Sequence, residues 1–98
     1  MTLPVTFDPA AQRELLEAAD FYDLERPDLG SEFLDEVQST LLRAADLPES
    51  GPVALGETRK LVLHHFPYSI MYWVDRSGIV VLAVAHHSRR PFYWGDRA

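Results

Sequence analysis

Ile79–Ala85 (IVVLAVA) is apolar at seven successive positions. A bilayer span needs about 20 such residues, so the run is far too short to cross a membrane. A strand with one wet face would alternate apolar and polar residues. This one does not, and it predicts a central strand over Ile79–His86, buried on one face by helices and partly covered on the other. The remainder of the chain has to supply those covers.

Two neighbouring stretches share its β-branched and aromatic character, Thr58–His65 (TRKLVLHH) and Tyr68–Val74 (YSIMYWV). Phe66-Pro67 separates them, and "DRSG", with an Asp and a Gly suited to a tight turn, leads into the third strand, so the second half predicts an antiparallel meander. Upstream the period lengthens. Asp8 is placed as an N-cap with Pro9 at the first helical position, where its missing N–H costs nothing. Ala11, Leu15, Ala18 and Tyr22 then share one helix face, while Glu14, Glu17, Asp20 and Asp23 are expected to point largely elsewhere. Pro27 ends this helix. After the turn "RPDLG", Phe33, Val37, Leu41 and Ala44, widened by Leu34 and Leu42, mark a second helix that Pro48 stops. So short a connection makes the pair an antiparallel hairpin. Leu3–Phe7 is a short strand candidate, and Pro48, Gly51, Pro52 and Gly56 mark a loop too broken for helix or strand. The expected fold is α+β, with an N-terminal strand and an antiparallel helical hairpin packed on an antiparallel sheet in the order β-α-α-β-β-β. Residues 1–98 form a single domain, since this length is enough for about one small core.

Charge divides the chain at the same place. Residues 1–50 carry twelve carboxylates against three arginines, a net of −9, and residues 51–98 carry six Lys and Arg against three carboxylates, a net of +3. All four histidines lie in the second half. The overall charge of −6 argues against nucleic acid as a general partner, but the average hides a basic C-terminal end. With no cysteine there is no disulfide framework and no zinc-thiolate site. The N-terminus lacks the basic flank and apolar stretch of a signal peptide. A cytoplasmic protein without a membrane partner, bound cofactor or metal is therefore expected.

"AQRELLEAADFYDLERPDLGSEFLDEV" (11–37), Arg59 at the start of a strand, "FPYSIMY" (66–72), "VVLAVAHHSRRP" (80–91) and a final "FYWGDR" (92–97) follow one another at spacings that resemble the RelE/ParE toxins of bacterial type II toxin–antitoxin systems. The resemblance covers nearly the whole chain and implies growth regulation and plasmid or chromosomal stabilisation. It also implies two mechanisms. The RelE branch cleaves messenger RNA in the ribosomal A site; the ParE branch binds DNA gyrase and stops replication with no catalytic residues of its own. In the nuclease branch, lysines alternate on the first meander strand, an Arg follows the Tyr opening the next, and an Arg and a Tyr lie beyond the last. Here Lys60 holds one lysine position, Val62 the next, Ser69 replaces the Arg, and Arg89 and Tyr93 match the terminal pair. RNA cleavage needs cations on the phosphate as well as proton donors and acceptors. The lost mid-sheet cation places the chain nearer ParE.

Were the chain a nuclease, Arg89, Tyr93, His86 and Lys60 would be its catalytic set. As a binding toxin, its target- or antitoxin-binding residues are expected to be Arg59, His87, Arg89, Arg90, Tyr93, Trp94 and Arg97. These would form a basic, aromatic surface for the carboxylates and apolar groups of a cognate antitoxin in a hetero-oligomer. Arg59 fits equally an ion pair with an acidic helix residue, and the histidines fit polar strand ends. DNA gyrase, and less so the ribosome, are the candidate targets. A non-toxic protein-binding module of the same fold is the third function left open.

Overall fold

The computed structural model describes residues 3–97. Its elements are β1 (Val5–Phe7), α1 (Pro9–Glu25), α2 (Leu29–Asp46), β2 (Val53–Leu55), β3 (Thr58–Val62), β4 (Tyr68–Asp75) and β5 (Gly78–His86). The two helices lie on one face of a five-stranded sheet ordered β1-β5-β4-β3-β2. This is the expected α+β arrangement. The meander β3-β4-β5 is antiparallel, whereas β1 joins the far side of β5 in parallel, which makes the sheet mixed.

Asp8 caps α1, its Oδ1 accepting the Ala10 N–H at 2.8 Å, with Pro9 following. The hairpin turn is tighter than the sequence predicts. Asp28 takes a left-handed conformation (φ 69°), which Asp tolerates better than most residues, and Leu29 and Gly30 already belong to α2. Asp23 of α1 caps the new helix across the turn, accepting the Gly30 N–H at 2.8 Å. Gly30 is where the helices approach most closely: a Cβ there would fall against the Ala19 carbonyl oxygen and lie 2.7 Å from the Asp23 carboxylate.

The stretch expected to be a broken loop contains β2, an edge strand antiparallel to β3. Pro52 is compatible with it because an edge strand needs no donor on its outer side. The loop is fixed from within the sheet: the fully buried Tyr72 hydroxyl donates to the Pro48 carbonyl (2.9 Å) and accepts the Gly51 N–H (3.2 Å). At the other end β3 stops at Val62, short of the expected His65. Glu36 of α2 accepts the backbone N–H groups of His64 and His65, and its Oε1 sits 2.8 Å from His65 Nδ1, which draws the chain off the ladder. Burial raises the Glu36 pKa, but these hydrogen bonds and the His65 charge outweigh it and hold the carboxyl below its ordinary range.

The main core joins Phe33, Val37 and Leu41 of α2 and the alanines of α1 to Ile70, Tyr72, Ile79, Val81 and Val84 of the sheet. A second, smaller cluster on the opposite face combines Met71, Leu82, Ala83 and Ala85 with Trp94. A bulge explains how β5 serves both. Tyr72 pairs with Val81 and Met71 with Ala83, so Leu82 is the extra residue, and both Leu82 and Ala83 turn to the open face. No helix among the described residues is long and apolar enough to cross a membrane.

Candidate functional site

Strand alternation puts Lys60 and Val62 of β3, Ser69 and Met71 of β4 and Ala85 of β5 on the face away from the helices. After His86 the chain leaves the sheet, and residues 87–97 fold back across that face in successive turns. A groove of about 420 Å³ lies between the two. Its floor is Val62, Ser69, Met71 and Ala85; its cations are Lys60 on β3 and Arg89 and Arg90 on the returning segment. Among the described residues no carboxylate lines it, and of its three cations only Arg89 has an acid nearby, Glu14 at 4.0 Å, so the field in the groove is positive. The Arg90 side chain has no ion-pair or hydrogen-bond partner among the described residues.

Both C-terminal histidines border this groove. His87 Nε2 lies 2.9 Å from the hydroxyl of Ser69, a residue only 3% exposed. His86 Nδ1 accepts the Ser88 N–H at 3.0 Å and packs its ring edge-on against Tyr68. His64 and His65 sit on the β3–β4 loop instead, outside the lining. Among the described residues no group of three histidines, cysteines or carboxylates is close enough to hold a metal ion.

Beside the groove lies a polar cluster around one carboxylate, Glu14 of α1. Its Oε2 accepts the Tyr93 hydroxyl at 2.7 Å and Arg97 Nη2 at 3.0 Å; its Oε1 accepts Arg97 Nη1 at 2.9 Å and the Val84 N–H at 3.0 Å. Arg89 stacks its guanidinium 3.9 Å from the centre of the Tyr93 ring and comes within 4.0 Å of Glu14. The Glu14 and Arg97 side chains are 13% and 18% exposed, so solvent screens this pair weakly. Burial, then the Glu14 hydrogen bond and charge, push the Tyr93 phenol far above its ordinary pKa, and Arg89 and Arg97 offset this only in part. The Glu14 hydrogen bond raises the Arg97 pKa against the opposing effect of burial.

The residues singled out by sequence therefore separate. Arg89, Arg90 and His87, with Lys60 and His86, surround the groove. Tyr93 shares its wall but commits its hydroxyl to Glu14, and Arg97 is a bidentate partner of the same carboxylate. Trp94 does not form part of an exposed aromatic surface: it is 3% exposed in the second cluster, while its neighbour Phe92 is 54% exposed. Arg59 donates to the backbone carbonyls of Gly51 (2.8 Å) and Glu49 (3.3 Å), outside the groove, and so ties down the α2–β2 loop.

The expectation that Glu14 points away from the core is corrected. It lies three residues after Ala11 and four before Ala18, both buried, so it sits on the inward stripe of α1. A lone carboxylate on such a stripe, in a chain whose cations cluster at the far end, was the available signal.

The family described as "ParE toxin of type II toxin-antitoxin system, parDE" matches residues 5–91. A solved chain of the "Chromosomal ParDE TA system from P. aeruginosa" has a similar fold, with a TM-score of 0.74 over 87% of this chain and 96% of that one, at 17% identity. No curated protein sequence matches the chain.

Proposed function

Because the chain belongs to the ParE toxin family of type II toxin–antitoxin systems, we propose that it is the toxin of such a module, acting in the cytoplasm by binding DNA gyrase and not by cutting RNA, and neutralised by a cognate antitoxin in a hetero-oligomer. The observation that supports binding over cleavage is the groove floor. Between Lys60 and the C-terminal cations it offers Val62, Met71, Ala85 and a Ser69 hydroxyl already facing His87, and no cation to stabilise a pentacovalent phosphorane. The Tyr93 phenol, bonded to Glu14 and made less acidic, is poorly suited to proton transfer near neutral pH. What the groove does offer is a basic surface for an acidic partner, with Lys60, Arg89 and Arg90 as its charges and no carboxylate in its lining among the described residues.

Pulse labelling of DNA and protein synthesis in the minutes after induction of this chain tests the mechanism. DNA synthesis falling first supports gyrase inhibition. Protein synthesis falling first replaces it with the ribonuclease reading and makes Arg89 and Lys60 the residues to mutate. If neither falls while folded protein accumulates, the chain is a non-toxic binding module. The neutralising surface has its own test. Reversing Arg89 and Arg90 together to Glu is expected to weaken the antitoxin complex about 10- to 100-fold, with most of the salt dependence lost. An unchanged Kd by titration calorimetry refutes the assignment of that surface.

A further inference from the structure

The C-terminal half of β5 lacks the neighbour that its first half has. β1 pairs with Ile79–Val81, the Asp8 N–H then bonds the Val81 carbonyl at 2.8 Å, and the chain turns away into α1. From Leu82 onward no strand adjoins β5 on that side among the described residues. Side chains take the strand's place: Arg97 donates to the Leu82 carbonyl at 3.0 Å and Glu14 accepts the Val84 N–H at 3.0 Å. Such bonds satisfy backbone groups that would otherwise form an open edge. The two side chains come from opposite ends of the chain and are joined to each other.

Residues 88–97 are otherwise loosely attached. The backbone N–H groups of Tyr93, Gly95 and Arg97 each bond the carbonyl three residues earlier within the segment, and those of Ser88 and Arg89 bond His86, the residue that ends β5, so beyond this hinge the backbone bonds fold the segment on itself and do not fasten it across the sheet. Phe92 adopts a left-handed conformation (φ 60°), unfavourable for a bulky residue, while its ring is half-exposed. Two anchors hold this strained segment to the body: the buried Trp94 ring and the Glu14 cluster.

We propose that residues 88–97 are a strap across the open face of the sheet, latched by the Glu14 carboxylate, and that the strap opens as a unit while the rest of the fold stays intact. The strap carries Arg89 and Arg90, so the closed state builds the cationic wall of the groove and the open state dismantles it. Glu14, which does not line the groove, acts as a positioning residue for it. The opening is a sub-global equilibrium of the kind that hydrogen exchange resolves segment by segment.

Amide exchange on the full chain, wild type against Glu14→Gln, tests the latch. The amides of Gly95 and Arg97, which Glu14 does not touch, are expected to exchange at least tenfold faster in the variant, with the amides of Val37 and Ile70 at wild-type rates. Trypsin provides a second readout. Cleavage after Arg89 should accelerate in parallel, while the Arg90–Pro91 bond resists. Tyr93→Phe removes one of the hydrogen bonds to Glu14 and keeps the ring beneath Arg89, so it should raise the same amides by a smaller factor. Equal acceleration of all amides would show that Glu14 supports the fold as a whole, and unchanged strap amides would show that it latches nothing; either result overturns the proposal. Should Glu14→Gln fail to fold, Tyr93→Phe and Arg97→Lys decide by the same comparison.

Discussion

Gly30→Val is expected to destabilise the protein by about 3 kcal/mol or more, a large share of a total stability in the usual range of about 5–15 kcal/mol. A Cβ at this position has no room to relax, because its closest neighbour is the main-chain oxygen of Ala19 in the adjoining helix and not the end of a flexible side chain. The helices would have to separate. Separation would also break the Gly30 N–H bond to Asp23, which caps α2 at the point where Asp28 leaves the helical region. Helix propensity offsets little of this, since Val is better than Gly in a helix by only a few tenths of a kcal/mol. Urea denaturation followed by circular dichroism measures the effect. A midpoint within experimental error of wild type would mean that the hairpin tolerates a wider spacing and that the contact at Gly30 does not set the helix crossing.

That contact also marks what the sequence makes legible. The two helices are readable because their apolar residues recur at spacings of three and four along short stretches of chain, and the meander because its strands are adjacent in sequence and joined by tight turns. Each is a local pattern. The parallel pairing of Val5–Phe7 with Ile79–Val81 joins opposite ends of the chain, and no periodicity announces it. β2 was hidden for a different reason: its flanking prolines and glycines mark a loop, yet an edge strand of three residues survives them because Tyr72, reaching from β4, holds Pro48 and Gly51 in place. The extent of β3 depends likewise on Glu36, a surface-helix carboxylate whose role is set by a loop 28 residues away.

The basic C-terminus shows the same limit at the candidate site. Its composition pointed to a basic, aromatic surface over the sheet, and in the structure Arg89 and Arg90 line one groove together with Lys60 of β3. Composition could not divide the cations into those facing outward and those already neutralised, because that division depends on which acid the fold brings near. Glu14 removes Arg97 and the Tyr93 hydroxyl from the outward-facing set and leaves Arg89 only loosely engaged at 4.0 Å. A run of aromatics is divided in the same way by its turns, which bury one ring and expose its neighbour.

Trp94→Ala is expected to lower stability by about 3–5 kcal/mol, the range for deleting a buried indole, whereas Phe92→Ala two residues earlier should stay within about 0.5 kcal/mol. The contrast follows from burial: Trp94 is 3% exposed against Met71, Leu82, Ala83 and Ala85, and Phe92 is 54% exposed. The loss at Trp94 also has a ceiling. A strap that opens as a unit cannot weaken the fold by more than the free energy that closes it, since beyond that point the strap is simply open and the helices, meander and main core persist. The urea midpoint of Trp94→Ala thus reads both the packing of the ring and the closing free energy of residues 88–97, and amide exchange of Gly95 and Arg97 in the same variant separates them. A loss below about 1 kcal/mol would mean that the segment contributes little to the fold and that the indole is available to a partner, in which case Trp94 returns to the binding surface beside Arg89 and Arg90.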